Sequence, residues 1–148
     1  MNSHRRPINI LLVEDNPGDV RLTQEAFREG RITVNLDVAR DGVEAIAYLR
    51  QQVPFSEAIT PDLILLDLNL PKRDGREVLA EIKSDPDLKR IPVVVLTTSN
   101  AEADILKTYN LHVNCYINKP VDFDRFFEIV QKIEDFWLST AVLPTMIA

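Results

Sequence analysis

Leu63-Ile64-Leu65-Leu66-Asp67-Leu68-Asn69 is the stretch that decides the architecture. Its first four residues are apolar without alternation, and the run stops at an acidic side chain. A strand with one wet face would alternate apolar and polar residues, so a short continuous run fits a strand covered on both faces. Two other runs have the same form. Ile10-Leu11-Leu12-Val13 leads into Glu14-Asp15, and Val93-Val94-Val95-Leu96 leads into Thr97-Thr98. Weaker strands are expected at Val34 to Ala39 and at Val113 to Ile117.

Helical patterns lie between these runs. Asn16 suits an N-cap with Pro17 at the first helical position, and Gly30 suits the stop. Asp41 suits the cap of a second helix from Gly42 to about Gln52, with Val43, Ile46, Ala47 and Arg50 on one face. A third is expected over Arg76 to Lys83 with Val78, Leu79 and Ile82 inward, a fourth over Glu102 to Tyr109, and a fifth from Asp122 to about Leu138. Strand and helix thus alternate five times. Such alternation predicts an α/β fold: a doubly wound, five-stranded parallel sheet with right-handed crossovers and helices on both faces. Strand order 2-1-3-4-5 is one common solution, which the pattern alone does not select. Residues 8–138 are expected to form one domain, with a short N-terminal tail at 1–7 and an apolar C-terminal tail at 139–148.

Composition narrows the function classes. The 148 residues carry a formal net charge of −6, with 45% hydrophobic and 27% charged residues. A general nucleic-acid binder needs a basic face, and the basic residues here are few and scattered. No apolar run approaches the ~20 residues that span a bilayer, and the N-terminus is too short and polar for a signal peptide. The single cysteine, Cys115, excludes an intrachain disulfide and fits a reducing cytoplasm.

In a doubly wound sheet, sites form outside the carboxyl ends of the strands. Glu14 and Asp15 follow the first strand, Asp67 and Asn69 the third, Thr97 the fourth and Lys119 the fifth. Three carboxylates brought together repel unless a cation sits among them, and Mg²⁺ suits hard oxygen donors combined with a phosphate. Asp67 can act as a carboxylate nucleophile toward phosphorus. Lys119 can neutralise the incoming phosphoryl group, and the Thr97 hydroxyl can hydrogen-bond it. Taken singly, each residue has a plainer reading as cap, loop or surface residue. Asp41, Asp74 and Asp85 fit that reading. The joint occurrence at four strand ends outweighs it.

These motifs, with Asp74-Gly75 and Lys119-Pro120, resemble those of a response-regulator receiver domain over about Ile8 to Trp137. The resemblance implies the flavodoxin-like order 2-1-3-4-5. It also implies phosphorylation at Asp67, with Mg²⁺ held by Glu14, Asp15, Asp67 and the backbone carbonyl of Asn69. Thr97 and Lys119 would bind the phosphoryl group, and Tyr116 would be the aromatic switch. The long loop before Leu63, the text around Asp67 and the Phe136-Trp137-Leu138 ending resemble regulators that pair with cyanobacterial phytochromes. That implies a light-regulated sensor histidine kinase as phosphodonor. A signalling phosphoacceptor is therefore expected rather than an enzyme. A Mg²⁺-dependent phosphatase is the first alternative, disfavoured because Asn69 stands where such enzymes usually have an acidic proton donor. A scaffold without chemistry is the second.

The last helix is unusually apolar. Its hydrophobic residues spread over roughly 200° of arc, whereas one buried face needs a little over about 100°. A homodimer through Phe126, Ile129, Ile133, Phe136, Trp137 and the 139–148 tail is expected to cover the surplus.

Overall fold

The computed structural model describes residues 7–70, 72, 74–97, 115–118 and 123–135; for residues 97, 115–118, 125 and 129 it describes the backbone. The elements run β1 (Ile8–Val13), α1 (Pro17–Arg28), β2 (Val34–Ala39), α2 (Gly42–Leu49), β3 (Leu63–Asp67), α3 (Gly75–Ser84), β4 (Val93–Thr97), β5 (Cys115–Asn118) and α4 (Phe123–Ile133). The strands form one sheet in the order β2-β1-β3-β4-β5. All four neighbouring pairs are parallel. The expected helix at Glu102 to Tyr109 lies outside the described residues.

The unbroken apolar runs have a direct explanation. Leu11, Val13, Ile64, Leu66, Val93 and Val95 belong to one core, which also contains residues of α2 and α3. Their chain neighbours Ile10, Leu12, Leu63, Leu65, Val94 and Leu96 belong to a second core with residues of α1 and α4. Successive strand residues point to opposite faces, so covering both faces demands an apolar residue at every position. β2 lies at the sheet edge, and its exposed Asn35 and Asp37 alternate with Val34, Leu36 and Val38.

The caps hold as expected. Asn16 accepts from the Asp19 N–H, Asp41 accepts from the Glu44 N–H, and Asp74 forms a capping box with Glu77. The inward face of α2 differs from the expectation. Ala45, Ile46, Tyr48 and Leu49 are buried, whereas Val43 is 56% exposed. Leu49 and Tyr48 offer more apolar area than Val43 and Ala47, and this rotates the helix by one position. Arg50 is drawn toward α3, where it pairs with Glu81 at 3.0 Å and Asp85 at 3.4 Å. The long loop after α2 packs Phe55 and Ala58 on the core.

The expected dimer surface also needs correction. Phe126 is 1% exposed and Ile133 5% exposed, both inside the chain's own α1–α4 core. Together with Val130 they form the sheet-facing stripe of α4, flanked by the stacked rings of Phe123 and Phe127 at 5.8 Å. Neither can serve a second copy, because its apolar area is already removed from water. The Ile129 side chain, Phe136, Trp137 and the 139–148 tail lie outside the described residues. Phe126→Ala leaves a cavity in this core and should cost about 3–5 kcal/mol in urea denaturation; a loss below about 1 kcal/mol contradicts this placement.

Candidate metal and phosphoacceptor site

The acidic residues expected to meet do meet. Glu14, Asp15 and Asp67 each present a carboxylate oxygen, and these oxygens all lie within 4.8 Å of one another. Strand adjacency brings them together: β1 pairs with β3, so the residues just past Val13 stand beside the end of β3. Glu14 continues the β1–β2 ladder by one bond, donating its N–H to the Ala39 carbonyl at 2.9 Å. It is 1% exposed and Asp67 5%, whereas Asp15 is exposed. At such separation the Glu14 and Asp67 charges repel by roughly 3–4 kcal/mol at an effective dielectric of about 20.

Backbone amides orient the two buried groups. The Asn16 N–H donates to Glu14 Oε2 at 3.2 Å, and the Asn69 N–H donates to Asp67 Oδ1 at 2.9 Å. Asn16 thereby steadies the site through its backbone while its side chain caps α1. The donor set is three carboxylates, hard oxygen ligands converging from two strands. It fits a divalent cation such as Mg²⁺ or Mn²⁺ and is otherwise strained by its own charge.

The remaining expected site residues are placed only in part. Thr97 ends β4, in register with Asn118 of β5, and Leu96 is in register with Asp67. The end of β4 therefore lies between the acidic cluster and the end of β5. Tyr116 is in register with Val95. The Thr97 and Tyr116 side chains, and all of Lys119, lie outside the described residues.

Two features were not legible as site residues. The Gly75 N–H donates to the Leu68 carbonyl at 3.1 Å, and a Cβ at Gly75 would stand 2.4 Å from the Asp67 carbonyl oxygen and 2.6 Å from the Leu68 Cα. Only glycine lets α3 start against the backbone that carries Asp67. The Asp-Gly pair marks a turn in the sequence, but the backbone approach becomes visible only in three dimensions. The second feature is an ion pair between Lys72 Nζ and Asp41 at 3.4 Å, which ties the loop after β3 to the cap of α2. Lys72 has φ 63°, a left-handed conformation that costs a non-glycine residue on the order of 1 kcal/mol.

A parallel sheet of this order with carboxylates gathered at its C-terminal edge defines a receiver. Residues 10–131 match the response regulator receiver domain, and the chain belongs to that family. It is 56% identical to response regulator Rcp1 of Synechocystis sp. over 138 residues, 93% of this chain and 94% of Rcp1. Among solved structures it resembles the phosphorylated cyanobacterial phytochrome response regulator RcpA, with TM-score 0.90 and 60% identity over 94% of this chain and 99% of that one. The Mn²⁺-bound form of Rcp1 superposes with TM-score 0.88 and 56% identity, covering 93% of this chain and 99% of that one. The chain is thus a receiver-type response regulator related to those of phytochrome signalling, and a phosphoacceptor role fits that family. Among the described residues, no helix is long and apolar enough to cross a membrane.

Gly75→Ala forces the start of α3 away from Asp67. It should cost about 1–3 kcal/mol of stability and weaken Mn²⁺ binding measured by calorimetry; wild-type affinity and stability together exclude this role for Gly75.

Proposed function

We propose that Asp67 is the phosphoacceptor of a two-component relay and that Glu14, Asp15 and Asp67 hold Mg²⁺, with the Asn69 carbonyl as a further ligand. The observation that carries this reading is the meeting of the three carboxylates across β1 and β3 in a receiver fold. The bound cation supplies charge neutralisation to the acidic cluster and to the phosphoryl oxygens. The Asn69 N–H holds one Asp67 oxygen and so fixes the carboxylate plane, and the other oxygen attacks phosphorus to form an acyl phosphate as the phosphorus–nitrogen bond of the donor's phosphohistidine breaks and the imidazole leaves. Thr97, at the neighbouring strand end, hydrogen-bonds the transferred group, and Lys119 neutralises it. Phosphate on Asp67 pulls Thr97 inward and lets Tyr116 on the adjacent strand change rotamer, shifting a pre-existing two-state equilibrium.

The phosphodonor is a sensor histidine kinase, of phytochrome type by likeness to Rcp1 and RcpA. The protein works in the cytoplasm as a signalling switch rather than as a turnover enzyme, and it binds no nucleic acid. Residues 8–138 form the receiver, preceded by the tail at 1–7. Self-association uses Ile129, Phe136, Trp137 and the 139–148 tail, with Phe126 and Ile133 retained in the core.

Incubated with acetyl phosphate and Mg²⁺, the wild type should gain one phosphoryl group by mass and Asp67→Asn none. Unchanged incorporation in Asp67→Asn refutes the assignment. Sedimentation at micromolar concentration should show a dimer, and a strict monomer with and without acetyl phosphate removes the self-association.

A further inference from the structure

Glu134 follows the last residue of α4 and is 0% exposed. Neither of its carboxylate oxygens has a hydrogen-bond partner among the described residues. It is wedged against the turn that closes α1, where a Cβ on Gly30 would come within 2.3 Å of one Glu134 oxygen. The point lies at the C-terminal, partly negative ends of two helices, α4, which Glu134 directly follows, and α1, which ends two residues before Gly30. An ionised carboxylate in such a place loses its hydration and gains little in return.

The charged groups around it do not relieve it fully. From the α1–β2 turn comes Arg31, whose guanidinium is bonded to Asp135 rather than to Glu134. From α1 comes Arg28, which is taken by Glu25. On its own element stands Asp135, which adds negative charge.

We propose that Glu134 is a proton-operated latch: in its protonated form it holds the end of α4 against the α1–β2 turn, and when ionised it lets that end lift away. Burial raises its pKa above the ordinary value of 4.5, nearby Arg31 opposes this in part, and Asp135 adds to it. The direction sets the sign. A group whose docked pKa is raised contributes docking free energy that is complete below its ordinary pKa and is lost as pH climbs through the raised one. Docking of the α4 end therefore weakens from acid toward neutral pH, and Gln at this position removes the dependence.

Hydrogen exchange of the terminal turn of α4 tests this in the full chain. The intrinsic pH dependence of exchange cancels in the ratio of wild-type to Glu134→Gln rates. That ratio should climb by up to about tenfold per pH unit above the ordinary carboxylate value and then level off. In Arg31→Met the opposing cation is gone, so the rise in exchange should continue to higher pH than in the wild type. A flat ratio, or a levelling point that Arg31→Met leaves in place or lowers, overturns the latch. If Glu134→Gln does not fold, the comparison of wild type with Arg31→Met decides alone.

Discussion

A parallel sheet covered by helices on both faces has no room for charge except at its ends, and everything else in this protein follows from that exclusion. Each residue of β3 is buried, and the central strands alternate between two apolar cores. In β3 and β4 a polar side chain stands only where the strand runs out. Parallel strands all run out on the same edge. Glu14, Asp15 and Asp67 are therefore gathered by the same burial that stabilises the sheet.

Gathering them has a cost that the surrounding backbone only partly offsets. Two of the three carboxylates are withdrawn from water, and each receives a backbone N–H from two residues downstream. Those amides orient the groups without neutralising them. Apparatus around the cluster keeps the geometry narrow. Gly75 lets α3 begin in contact with the backbone of Asp67 and Leu68, and Lys72 ties the following loop to the cap of α2. Three converging carboxylates of this kind suit a divalent cation, whose charge offsets their repulsion.

α4 shows how an apolar surplus can mislead. Phe126, Val130 and Ile133 stand at helical spacing and pack on the sheet. Phe123 and Phe127 widen that stripe and remain against the same core. A wide apolar arc is thus partly the demand of the core itself, because α4 must cover both the sheet and α1. The buried carboxylate of Glu134 marks where this packing ends, at the turn closed by Gly30.

The sequence by itself determined the strands, the caps and the strand-end carboxylates. Continuous apolar runs have one physical cause, double burial, and Asn16, Asp41 and Asp74 cap helices through local hydrogen bonds that need no distant partner. What depends on distant partners was decided only by the tertiary structure. The inward face of α2 turned on competition between Leu49, Tyr48 and Val43 for one core. The burial of Phe126 and Ile133 turned on where α1 lies. The Lys72–Asp41 pair and the stranded Glu134 join segments far apart in the chain, and Gly75 meets Asp67 and Leu68 across a loop; no periodicity encodes such contacts.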